Sequence, residues 1–183
     1  MKYTQQEKLN ILMLCEIYRA LGIKNSFNPD LIEEAISTDN YWAIDWEYQG
    51  ISSGEETPAS VKLVVDTIDM FEILQYTYDN LNEQDKLDVA AQVEHFNPDY
   101  ALKFSGFDGN NEGRYMGIAR LLEMMRRSAK GDLTKNSHSP RVEVYRRMLE
   151  VFLPARDAWI HDVGISKEAL IETLNARVHP ANR

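Results

Sequence analysis

The sequence has a single cysteine, Cys15, among 183 residues. That excludes an internal disulfide and any metal centre built from several thiolates. No apolar run approaches membrane-spanning length, and no basic leader followed by an apolar stretch opens the chain, so a cytoplasmic location is expected. No Glu-x-x-His pair is present, which removes a ferritin-like carboxylate centre. Gly-rich phosphate loops, nucleophile–base pairings and metal-ligand spacings are missing as well. Positive charge is scarce: 20 Lys and Arg stand against 29 Asp and Glu, a net of −9. Such a balance argues against general nucleic-acid or membrane-surface binding. No catalytic residue, metal or cofactor is assigned.

The scarcity of cations is uneven. Residues 1–111 hold 7 Lys/Arg against 20 Asp/Glu, a net of −13, whereas residues 112–147 hold 9 against 4, a net of +5. A basic segment within an acidic chain suits charge complementarity between packed helices or subunits. Anion or nucleic-acid binding through 114–147 is the alternative. Hydrophobic residues at 44% and charged residues at 27% are ordinary for a folded domain of this length.

Thr4-Gln5-Gln6-Glu7 is a capping box, opening a helix to about Leu21 that is apolar on more than one side and stops near Gly22. Cys15 lies in its apolar run and reads as a buried, inert thiol. Asn28-Pro29 starts a short helix through about Ile36. Tyr41, Trp42, Trp46 and Tyr48 crowd an acidic stretch in which Trp42 and Trp46 either share a helical face or stand in irregular chain. Pro58 opens the longest helix, to about Leu81. Along it Val64, Phe71 and Tyr78 recur every seven residues with Leu74 and Leu81, a packing seam of coiled-coil character. A further helix is predicted over Asn82 to Phe96, ended by Asn97-Pro98. The stretch 128–139 reads as a mobile polar loop in which His138 is solvated. Ser139-Pro140 caps a late helix whose stripe of Tyr145, Met148, Phe152, Ala155 and Trp159 keeps its phase across Pro154, predicting one kinked helix. A second apolar line, Leu149, Leu153 and Ile160, lies beside it, and Asp157 and His161 are spaced for a contact across one turn. Ser166 caps the last helix.

The stretch from Phe104 to Met125 carries the one placement that breaks a simple rule. Asp108 reads as the N-cap of a helix, Gly106 and Gly109 supply a sharp entry, and Glu112 complements the dipole. At 100° per residue Tyr115, Ile118, Leu121, Leu122 and Met125 form the core stripe, and Arg114 falls inside it. A guanidinium there must either snorkel out past the helix start or be paired with a carboxylate; pairing is the expectation, with Asp66 or Asp69 meeting Arg114 or Arg120. Gly113 and Gly117 form a small-residue stripe open to close approach. Asp108, Glu112, Arg114, Tyr115 and Arg120 make up the candidate binding set.

Phe104-x-Gly106-Phe107-Asp108, then Glu112-x-Arg114-Tyr115-x-Gly117 and Arg120, resembles the signature of the YfbU family of uncharacterised prokaryotic proteins. The likeness extends to Thr4, Leu9, Asp66, Met70, Leu74, Asn80-Leu81, Pro140, Tyr145 and Arg147-Met148-Leu149. Gly113 and Pro154 depart from it. The resemblance implies an all-α fold, self-association and a ligand-sensing or regulatory role, with no family activity to carry over. The expectation is an all-α single compact domain over 1–183, with seven to eight helices around one long central helix. The expected function is that of a homo-oligomeric binding or regulatory module without catalysis.

Overall fold

The computed structural model describes residues 3–24, 26–51, 55–126, 132–158 and 164–179. Nine α-helices and no strand occur among them. The local signals explain most boundaries. At α1 (Gln5–Ala20) the Thr4 hydroxyl accepts from the Glu7 N–H while the Glu7 carboxylate accepts from the Thr4 N–H at 2.7 Å, the reciprocal box that satisfies two end amides. Gly22 then takes φ +63° and ends the run. At α2 (Pro29–Ser37) the Asn28 side chain accepts from the Asp30 and Leu31 amides. α3 (Trp42–Glu47) is short and is followed by a 3-10 turn over Gln49–Ile51.

The central helix is α4 (Ala59–Asn80), which buries Val61, Val64, Ile68, Met70, Phe71, Ile73 and Leu74 over more than half its circumference. It packs against α7 (Gly113–Met124), α8 (Val142–Asp157) and α9 (Lys167–Asn175). The seven-residue seam therefore closes inside the chain's own core. The same holds for α8, whose Tyr145, Met148, Leu149 and Phe152 are all buried. That helix continues through Pro154 as one element; Trp159, Ile160 and His161 lie outside the described residues. Burial pushes the Cys15 thiol up, as an inert interior thiol requires.

Three expectations are corrected. The helix from Asn82 is shorter than expected: α5 (Glu83–Gln92) ends before Val93. Asn97-Pro98 does not close it but opens α6 (Pro98–Ala101), because the Asn97 side chain accepts from the Asp99 amide and Pro98 has the preset φ of a first helical residue. Asp66 and Asp69 meet neither Arg114 nor Arg120. Both face α8, where Arg156 stands 2.7 Å from Asp66 and 3.9 Å from Asp69, because α4 turns a different side toward α7. Finally, of the expected loop 128–139, residues 128–131 lie outside the described residues and 132–139 is pinned rather than loose. Ser137 N–H donates to the Phe107 carbonyl at 3.1 Å, Phe107 N–H donates to the Lys135 carbonyl, and Leu133 is buried. His138 is exposed, as expected.

Candidate functional site

The turn before α7 is built on an aromatic nest. Phe107 is fully buried, stacked on Tyr115 at 5.6 Å between ring centres and edge-on to Tyr145 at 5.6 Å. Phe71 and Phe104 complete the cluster. Tyr145 supplies its polar element: the phenol donates to the Gly106 carbonyl at 2.8 Å. A phenol has one proton, so the 2.9 Å contact with Ser105 is a donation from the serine hydroxyl. Gly106 has φ +85°, and a Cβ there would stand 1.8 Å from the Lys135 carbonyl oxygen.

Burial pushes the Tyr145 phenol above its ordinary value, against the smaller lowering effect of the Ser105 hydrogen bond. The folded chain thus holds this proton more tightly than the unfolded chain does. Its contribution to stability is complete below the unfolded value of about 10 and is lost as pH rises through the folded value. Unfolding by urea at pH 8 and pH 11 tests this. Tyr145→Phe is expected to lose about 1 kcal/mol at pH 8 and to show a smaller decline toward pH 11 than the parent chain.

Asp108 does not cap α7. Its carboxylate accepts from the Asn110 amide at 3.1 Å and from the Asn111 side chain, and these bonds, the Asn111 one foremost, hold its carboxyl below the usual range. Its carbonyl accepts from the Glu112 N–H at 2.7 Å, which inserts one extra turn before the helix begins at Gly113.

Glu112 also differs from expectation. Its buried carboxylate does not serve its own helix dipole. One oxygen takes the Asp108 N–H at 3.0 Å; the other takes the Arg141 and Val142 N–H groups at 2.8 and 2.7 Å. These are the free amides at the start of α8, which has no side-chain cap of its own, since the Ser139 hydroxyl is turned to the Ser137 carbonyl. Glu112 therefore caps a helix 30 residues away and closes its own turn with the same group.

Arg114 is the plainest correction. It is exposed and pairs with no carboxylate among the described residues. It lines a hollow of about 370 Å³ with Thr38, Asp39, Asn40, Gly113 and Gly117. As second residue of α7 it precedes the point where the apolar stripe reaches α4, so its angular alignment with Ile118 does not carry it into the core. Arg120 is also outward and stands 3.8 Å from Glu34 of α2. Of the candidate set, Asp108, Glu112 and Tyr115 thus join the turn to its neighbours, while Arg114 and Arg120 lie on the outer side. Gly113 and Gly117 have open space where packing was expected.

Among the described residues of the basic segment, two arginines of α8 are engaged within the fold. Arg146 pairs with Glu143, and Arg147 donates to the Ala176 and Arg177 carbonyls at the end of α9. Among the described residues no three His, Cys, Asp or Glu side chains are arranged to hold a metal, and no helix is long and apolar enough to cross a membrane. A cleft of about 410 Å³ lies beside the nest, floored by Phe71, Leu102, Phe104 and Leu133, with Lys103 and Asp132 at its edge.

The first helix carries two apolar sides, and the fold covers one of them. α1 packs on α2. Its two cations turn that way, Lys8 to Asp39 and Arg19 to Asp30 and Glu33. The opposite side leaves Leu9, Met13, Leu14, Ile17 and Leu21 each 52–69% exposed.

The profile of the YfbU domain matches residues 1–176. A protein of Methanocaldococcus jannaschii described as UPF0304 protein MJECS11 is 27% identical over 177 residues, covering 92% of this chain and 98% of its own. No solved structure matches.

Proposed function

Because this chain belongs to the YfbU family, we propose from its own chemistry that it is a self-associating helical domain. It acts in the cytoplasm as a binding or regulatory module and performs no catalysis. The observation that carries this reading is the uncovered apolar side of α1. The exposed fractions of its five large side chains amount to about three complete side chains. Burying a large aliphatic side chain contributes about 1.5–3 kcal/mol, so two copies together would gain roughly 9–18 kcal/mol. That gain is comparable to the association cost of about 4–15 kcal/mol. Net charge of −9 keeps such a chain soluble while its neutral face associates.

The coiled-coil seam of α4 and the described part of α8 do not add to this case, since both pack into the core. Arg146 and Arg147, engaged within the fold, supply no observation favouring nucleic acid. Light scattering coupled to size exclusion tests the proposal: an oligomer is expected at micromolar concentration. A mass of 21.1 kDa across that range, the monomer value, would overturn it.

A further inference from the structure

Resting on that reading, we propose that the partner on α1 is a second copy of this chain, docked antiparallel through a two-fold axis at Met13. Leu9, Met13, Ile17 and Leu21 recur at intervals of four and form one ridge, with Leu14 alongside. Ridges of this spacing pack into the grooves of an identical helix. Met13 is the midpoint of Leu9 and Ile17, so an axis there sets Leu9 against the partner copy's Ile17 position and the reverse.

Charge selects the occupant. A two-fold contact places each patch against its own copy, so any charge near the axis meets a like charge. The other exposed positions on this side are Gln6, Asn10 and Ala20, all uncharged, in a chain of net −9. Glu7 and Glu16 stand at the edges, and the helix's cations are held at α2. An anionic membrane needs cations on the polar flanks of such a helix. Nucleic acid needs them on the face itself. Neither condition is met.

Area agrees. The five side chains expose roughly 500 Å² per copy, and the uncharged neighbours and rim bring a contact toward the ~800 Å² a side of a stable interface. Antiparallel packing also sets the two helix dipoles in opposition.

Two sets of variants test the contact. Met13→Glu places a carboxylate on the axis of each copy. On an exposed helical position it should leave the far-ultraviolet circular dichroism unchanged while weakening dimerisation roughly 100-fold or more by analytical ultracentrifugation. Under mild oxidation Met13→Cys should form a disulfide-linked dimer and Leu21→Cys should not; the buried Cys15 is withheld from this reaction. A parent chain that is monomeric overturns the self-association reading and this contact together. A parent oligomer that Met13→Glu leaves intact, with no bridge in Met13→Cys, overturns the contact alone and leaves self-association standing. Bridging in both cysteine variants overturns the antiparallel arrangement. Should Met13→Glu fail to fold, the cysteine pair decides.

Discussion

Glu112→Ala is expected to lower the stability of the folded chain by about 3–5 kcal/mol. Three backbone donors end on this one buried carboxylate, at 3.0, 2.8 and 2.7 Å. Hydrogen bonds to a charged acceptor contribute about 1.5–3 kcal/mol each, and removing a shared acceptor strands its donors together, so the losses overlap rather than add. Two of the three donors are end amides of α8, whose own preceding residues offer no side-chain substitute. Glu112→Gln keeps the shape and one acceptor oxygen, so it can serve either the Asp108 amide or the α8 pair. About half the loss is expected there. Urea unfolding monitored by circular dichroism reads both values. A loss under about 1 kcal/mol for the alanine variant would show that water replaces the carboxylate at α8, contrary to its burial.

Gly106→Ala should cost as much or prevent folding. At φ +85° an L-residue is strained by about 1–3 kcal/mol before any contact is considered. Its Cβ would then lie 1.8 Å from the Lys135 carbonyl oxygen and 2.5 Å from the carbonyl carbon, both backbone atoms that cannot rotate aside. Relief requires 135–137 to lift off Phe107, breaking the bridge that covers a fully buried ring. A total of about 4 kcal/mol or more is expected from strain and lost cover. Gly117→Ala is the control. Nothing stands within 4 Å of its Cβ and it lies inside α7, so alanine should be neutral or gain up to about 1 kcal/mol. Thermal melting of the two variants separates them; a Gly106→Ala melting temperature equal to the parent's would contradict the close approach of 106 and 135.

These two glycines show where sequence reading succeeds and where it stops. Both look alike as residues near a helix start. One is compulsory because another segment, 29 positions later, crosses over it; the other is incidental. At Glu112 local dipole reasoning points to its own helix, whereas its carboxylate serves another helix 30 residues away. The extra turn at 108–112 aims it at α8 instead. Tyr145 was placed correctly on a core stripe, and its bond to the Gly106 carbonyl had no local signal at all.

Arg114 carries the sharpest lesson. Angular stepping assigned it to the buried arc, and the arithmetic of the arc was sound. Yet an arc is buried only where a neighbour lies over it, and at Arg114 none does. The bare side of α1 has the same origin. Its two apolar sides were visible, while the identity of the covered one depended on where α2 packs.

By itself the order of residues determined the all-α class, the capping box at Thr4, the long helix after Pro58 and the continuous α8. Each follows from hydrogen bonds and apolar periods spanning fewer than about eight positions. Tertiary structure alone decided that Asp66 meets Arg156, that Glu112 caps α8, that Arg114 faces water and that one side of α1 is left bare. Those outcomes depend on which surfaces come together across tens of residues, and burial is a property of the pair of surfaces rather than of either one.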